Sequence, residues 1–195
     1  MSRDLAPRAR RPLWARMLGA SLLVADTYEE VEADRSALPQ AFAVVLLACL
    51  ASSVGFFIRL RLGHTLPPGS LPAPLQLGVI FLEPLVLWAI GSALAYMVGS
   101  SFFRGADTQT DYAEVLRTTG FAFTPAVLAG VAFVPPDALG LGILILARVW
   151  TLVACVVAIR QALDFDTLRA VGTFGVAAVL LWLILWGLSV APFPV

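Results

Sequence analysis

The sequence predicts an all-helical integral membrane protein built around a bundle of five transmembrane helices. Of its 195 residues, 59% are hydrophobic and 13% are charged, and the mean hydropathy is +0.88. A soluble domain is about 45–50% apolar, so one soluble core of this size would not bury the surplus. Five apolar runs are long enough, or nearly so, to cross a bilayer, which takes about 20 helical residues. These two observations give the fold class.

The charge balance and the cysteines narrow the function further. The chain carries 13 arginines against 13 acidic residues and has no lysine, so it lacks the clustered positive patch of a nucleic-acid-binding face. Its two cysteines, Cys49 and Cys155, both lie in apolar runs, where a thiol behaves as a small hydrophobe. We therefore expect no nucleic-acid partner, no disulfide framework, no metal site and no cofactor.

The N-terminal region predicts a tail followed by a helix at the membrane surface. Residues 1–12 read as a short disordered basic tail, and residues 13–195 as a single membrane domain. On a helix, Trp14, Leu18 and Leu22 share one face, which favours an interfacial amphipathic helix. The alternative is the apolar core of a signal peptide, but Arg16 interrupts it and no convincing cleavage site follows.

An acidic block precedes the first apolar run. It reads ADTYEEVEADRSALPQA, and its capping-box spacing predicts a short helix. The leading interpretation is a solvated helix face, and the alternative is a segment that faces a partner. A calcium loop is disfavoured because the required glycine and ligand spacing are missing. The candidate partner-facing residues are Asp26, Tyr28, Glu29, Glu30 and Glu32.

The apolar runs give the spans, and two prolines interrupt them. We predict a kink at Pro84, which removes a backbone donor inside the second span, and another at Pro125 in the third. A polar helix near 101–119 is expected to continue into the third span. The predicted spans are 41–58, 75–98, 118–134, 138–159 and 170–190.

Two spans carry an ionisable residue near their middle. Glu83 lies eight residues past Leu75 and Arg148 ten past Ala138, which are depths of about 12 and 15 Å at 1.5 Å per residue. Because each charge alone would be costly in hydrocarbon, we predict that they face each other inside the bundle. The leading interpretation is a packing pair that fixes helix register. A transport or proton-relay role and separate hydration in a water-filled cavity stay open.

The arginines predict the orientation. With five spans, only Arg59 and Arg61 fall on one side of the membrane, so that side is not cytoplasmic. The N-terminus is therefore expected in the cytoplasm and the C-terminus on the opposite side. The cytoplasmic arginines are Arg3, Arg8, Arg10, Arg11, Arg16, Arg35, Arg104, Arg117, Arg160 and Arg169.

Three segments resemble the bacterial branch of the Yip (Ypt/Rab-interacting protein) domain family. They are DTYEEVEADRSALPQA before the first span, LRTTGFAFTP before the third, and WTLVACVVAIRQALDF at the end of the fourth. The resemblance covers about residues 13–190. It implies a five-span helical membrane protein with a cytoplasmic N-terminal region, and it supplies no catalytic residue.

For function, the resemblance implies contacts within the membrane. Eukaryotic relatives engage prenylated small GTPases and carry an Asp-Leu-Tyr-Gly-Pro-type motif, but this chain has Asp-Thr-Tyr-Glu-Glu at 26–30 and lacks the Gly-Pro. A small GTPase partner is therefore not expected, and the arginine- and alanine-rich composition suggests a bacterial inner membrane. We expect a non-enzymatic scaffold or adaptor that contacts lipid, other membrane proteins or itself. The alternative is a small transporter or channel that uses Glu83 and Arg148.

Overall fold

The computed structural model describes residues 11–63, 69–103, 111–132 and 137–190, with side chains up to residue 187 in the last helix. Every element in these ranges is helical. Two of these elements have 3₁₀ geometry: a short turn at Arg35–Ala37 and a longer helix at Thr124–Val131, which we call the 3₁₀ helix. The α-helices are α1 (Leu13–Ser21), α2 (Ala25–Ala33), α3 (Leu38–Arg61), α4 (Ala73–Phe102), α5 (Tyr112–Ala122), α6 (Asp137–Ala162) and α7 (Thr167–Val190).

Four helical segments are long and apolar enough to cross a membrane. They are 35–61, 73–102, 137–162 and 167–187, and they contain most or all of the first, second, fourth and fifth predicted spans. The third predicted span, 118–134, is not one continuous helix. Its α-helix ends at Ala122, and the chain continues as the 3₁₀ helix, with Pro125 in its first turn. The break has a physical cause, because proline lacks the N–H that an α-helix would bond to the carbonyl four residues earlier.

Helices α4 and α6 run in the same direction. Glu83 on α4 contacts Arg148 on α6, and 16 residues further along α4 Gly99 packs against Leu163, which lies 15 residues beyond Arg148. A Cβ at Gly99 would come within 2.5 Å of the Leu163 Cδ1 atom, so the chains approach closely there. The segment between these helices therefore returns the chain from the end of α4 to the start of α6.

That returning segment lies along α3. Gly120 at the end of α5 packs on Ala41, and Gly130 in the 3₁₀ helix packs on Ala51. The returning segment and α3 therefore run in the same direction. A Cβ at Gly120 would lie 2.7 Å from that of Ala41, which explains why glycine suits this position. At the far end of α3, Arg59 reaches Asp137 at 3.6 Å, where α6 begins.

An N-terminal hairpin, residues 11–37, packs on α5 and α6. Along α6 it extends from Gln161 near the end of that helix, which donates to Glu29 at 3.0 Å, to Trp150 near its middle, whose indole donates to the Ser21 carbonyl at 2.7 Å. Its two helices are antiparallel, and Leu23 makes the turn between them with a positive φ of 59°. Trp14, Leu18 and Leu22 form an exposed apolar stripe along α1. The sequence predicts this apolar face, whereas Arg16 on the other side of α1 is buried against the bundle.

Residues 1–10 of the predicted basic tail lie outside the described residues. Arg11, at the edge of that predicted tail, is held in place, since its Nε atom lies 3.1 Å from Glu30 and its Nη1 atom donates to the Thr27 hydroxyl at 3.2 Å. Arg11 is therefore anchored to α2.

Candidate functional site

The mid-membrane pair is the first candidate site. The Nη2 atom of Arg148 lies 2.8 Å from Oε1 and 2.9 Å from Oε2 of Glu83. The structure thus brings together the two residues that depth counting matched. Their side chains are 45% and 37% exposed, so the pair lies at the wall of the bundle and not in its packed interior.

A cavity of about 370 Å³ opens beside this pair. Its walls come from α3, α4, the 3₁₀ helix, α6 and α7, and both Pro84 and Arg148 line it. The few polar groups on its walls include Ser52 and Thr151, whose hydroxyl donates to the Ala147 carbonyl at 2.8 Å. We call this space the lateral cavity. Its lining is predominantly apolar, as is typical of sites for small apolar molecules.

A smaller cavity of about 70 Å³ adjoins the lateral cavity and extends it toward α5. At its inner end, the Ser92 and Thr119 hydroxyls lie 2.7 Å apart, and the Trp88 indole donates to the Leu116 carbonyl at 2.9 Å. The two cavities share a wall of six residues: Leu87, Phe123, Cys155, Phe174, Ala178 and Leu181.

The second candidate site is a buried charge cluster under the N-terminal hairpin. Arg16 is 1% exposed, and its guanidinium bonds Gln40 at 2.8 Å, Asp34 at 2.8 Å and Glu30 at 3.0 Å. Glu30 lies on α2, Asp34 directly follows α2, and Gln40 lies on α3. Arg16 therefore fixes the hairpin to the first long helix.

The residues of the acidic block do not share one surface. Asp26 and Glu29 are exposed, and Glu29 accepts a hydrogen bond from Gln161 at 3.0 Å. Glu30 is held by Arg11 and Arg16. Tyr28 is fully buried and its hydroxyl donates to the Ala20 carbonyl at 3.0 Å, so it lies in the core and not on a partner-facing surface.

Glu32 faces a mixed group of charges beneath α2. Partial burial, followed by the negative charges of Asp164, Glu114 and Glu29, raises the pKa of its carboxyl from 4.5 to about 7, and Arg117 opposes that rise. The Arg117 side chain is itself 3% exposed and donates to the Glu32 backbone carbonyl at 2.6 Å. Asp34 behaves oppositely, because hydrogen bonds led by the Ser36 hydroxyl lower its pKa to about 2.

Sequence reasoning missed Arg16 and Arg117 as structural residues. A signal existed for Arg16, since a charge interrupts an otherwise apolar stretch with carboxylates 14 and 18 residues downstream. For Arg117 no local signal exists, because its acceptor is a backbone carbonyl 85 residues away.

In the described ranges, no group of three or more potential metal ligands comes together. Asp111 and Glu114 form a capping box at the start of α5: Asp111 accepts from the Glu114 amide at 2.8 Å, and Glu114 accepts from the Asp111 amide at 3.0 Å. They satisfy the first amides of α5.

The comparisons with known proteins agree with the helical architecture. The model of the Yip1 domain matches residues 10–189, which is most of the chain. No curated protein and no solved structure matches significantly. The chain therefore belongs to the Yip1 domain family, a family of generally non-enzymatic membrane-trafficking proteins, and is a multi-pass membrane protein.

Proposed function

We propose that this protein is a non-enzymatic scaffold of a bacterial inner membrane, which assembles with other membrane proteins, itself or lipids. The observation that carries the proposal is the N-terminal hairpin. Its inner side is fixed to the bundle by Arg16, while Asp26 and Glu29 on α2 are exposed. A rigid surface with a defined charge suits recognition, because little conformational entropy is lost when a partner binds.

The proposed topology has five crossings, with residues 112–131 as the third. Two observations support this third crossing: these residues run beside α3, and the parallel arrangement of α4 and α6 favours a return of the chain between them. At about 1.5 Å per α-helical and 2.0 Å per 3₁₀ residue, the segment spans about 34 Å, against about 30 Å of hydrocarbon. The arginine distribution then puts the N-terminus in the cytoplasm and the C-terminus outside.

Reporter fusions test this topology. A fusion to alkaline phosphatase, which is active only outside the cytoplasm, is expected to be active after Gly63 and after the C-terminus and inactive after Phe103. Green fluorescent protein fused at the same sites gives the reciprocal pattern. An inactive phosphatase at the C-terminus would reduce the count to four crossings.

Cross-linking in native membranes, followed by mass spectrometry, tests the scaffold role. We expect reproducible partners, or dimers of the chain, whose cross-links map to α2. Charge reversal in the variant D26R/E29R should remove them. The matched control is D166R, which reverses an exposed carboxylate in the turn after α6. Recovery of monomer alone, without reproducible partners, would contradict the proposal.

A second candidate function is transport, which the position of the Glu83–Arg148 pair at the wall of the lateral cavity favours. Flux through reconstituted vesicles should then change in the variant E83Q. Equal flux of ions or protons in wild type and variant, or none in either, would remove this candidate.

A further inference from the structure

The two halves of α7 differ in their packing. In the first half, Gly172 packs on the Phe103 ring, and Ala170 and Ala177 are buried. From Val179 onward, every described residue is partly or fully exposed, including Trp182 at 62% and Trp186 at 55%. The second half of α7 therefore stands away from the bundle.

The lateral cavity is the space behind this half of α7. Leu181, Trp182 and Leu185 line it from α7, and Phe123 and Cys155 line it from the opposite wall. The helices that form its walls present apolar side chains on their outer surfaces, such as Leu82 on α4 and Val149 on α6. In a multi-pass membrane protein, the mouth of such a cavity opens onto hydrocarbon.

An apolar space of this size next to hydrocarbon is unfavourable both when it holds water and when it is empty. Away from the Glu83–Arg148 pair, water would find few polar partners on these walls, and it needs between two and four to be held. An empty space would leave the lining atoms without dispersion contacts. An engineered apolar cavity of about 150 Å³ stays dry and takes up benzene, and the lateral cavity is more than twice as large.

We propose that the lateral cavity binds a hydrocarbon chain of a bilayer lipid. The chain enters between the second half of α7 and the surface formed by α4 and α6, and its end lies against Leu87, Phe123 and Leu181. The Glu83–Arg148 pair borders the site, and pairing makes the two charges less costly beside hydrocarbon than either charge would be alone. The inference rests on the protein–lipid part of the proposed function and gives it a place in the fold.

Photolabelling tests the proposal. The full-length protein is reconstituted in phosphatidylcholine vesicles that contain a few per cent of a phosphatidylcholine with a diazirine near the end of one chain. After illumination, mass spectrometry locates the adducts. We expect labels on cavity residues such as Cys155 and Leu181 in excess of those on outward-facing residues such as Val153.

Two variants fill the cavity, and one matches them outside it. L181W narrows it from α7, and A126F narrows it from the 3₁₀ helix. L183W makes the same change two residues away on α7, outside both cavity linings. The filling variants should lose most of the cavity labelling, and L183W should keep it. Because one filling variant could misfold, thermal unfolding of all three is measured beside the wild type.

Three results would overturn the proposal. Labels spread evenly over inner and outer surfaces would mean that lipid only surrounds the bundle. Cavity labelling that persists in both folded filling variants would place the chain elsewhere. Cross-links through the cavity residues between two copies would show that a second molecule fills it. None of these results changes the partner test on α2, so failure here is separate from failure of the scaffold role.

Discussion

Arg16 and Arg148 place the same guanidinium in two different environments. Arg16 is 1% exposed and bonds three side chains, whereas Arg148 is 45% exposed and, among the residues that the structure describes, pairs with Glu83. Both lie in apolar stretches of the sequence. The difference shows that the sequence reveals where a charge lies along the chain, whereas the number of acceptors around that charge determines how strongly it holds helices together.

The two sites also respond to different surroundings. Arg16 is enclosed by protein, so the free energy of its ion pairs depends on the hairpin remaining packed on α3. The Glu83–Arg148 pair borders the lateral cavity, so lipid or water at the cavity changes its environment. Removing one partner at each site therefore measures two different quantities: protein packing at the first, and the cost of a charge in the membrane at the second.

Replacing Arg16 is expected to have the largest effect. R16M leaves Glu30 and Asp34 without their buried cation, and breaking a buried pair costs about 3–5 kcal/mol. The free energy of unfolding in mild detergent measures this loss. The matched control is R11M, since Arg11 also pairs with Glu30 but is 44% exposed, and such pairs contribute less than about 1 kcal/mol. Equal losses in the two variants would mean that burial does not distinguish them.

The mid-membrane pair should show a smaller and coupled effect. E83Q or R148Q alone leaves one charge unpaired, which costs up to about 3 kcal/mol at mid-bilayer. The double variant removes both charges and should be less destabilised than the sum of the single variants, by about 0.5–3 kcal/mol. Unfolding in lipid nanodiscs measures all four proteins. Additive losses would show that the contact does not stabilise the bundle.

The sequence predicts the depth of a residue along a helix better than it predicts which face of the helix packs against a neighbour. Glu83 and Arg148 could be matched because a helix rises evenly, so counting residues gives depth in the membrane. Burial of Arg16 could not be predicted, because the pattern of α1 does not say which of its faces meets the bundle. The lateral cavity could not be predicted from the sequence either. It depends on α7 standing away from the other helices after Ala177, and no local sequence pattern encodes that separation.

The third predicted span, 118–134, shows the same limit within one segment. Pro125 predicts an interruption, but the 3₁₀ helix that follows it is held by close packing of Gly130 on Ala51 of α3. A 3₁₀ run of eight residues is uncommon in isolation, so tertiary contacts are needed to sustain it. The sequence locates the break, whereas the neighbouring helix determines the geometry beyond it.

The smallest expected effect concerns pH and sharpens the contrast between enclosed and open charges. Folding raises the pKa of Glu32 from 4.5 to about 7, so the folded state holds this proton more tightly than the unfolded state. The resulting stabilisation is present in full below pH 4.5 and is lost as the pH rises through 7. E32Q removes this titration, so the variant should lose less stability than the wild type between pH 5 and pH 8.

The expected difference is about 1 kcal/mol, because solvent screens a half-buried carboxyl. Thermal unfolding at the two pH values measures it. The control is D34N, because Asp34 does not titrate between pH 5 and pH 8. The pKa of Asp34 is lowered from 3.8 to about 2, so its contribution is present above pH 3.8 and is lost only as the pH falls through 2. D34N is therefore expected to be destabilised equally at pH 5 and pH 8. Parallel pH profiles of the wild type and the E32Q variant would show that folding does not raise the pKa of Glu32.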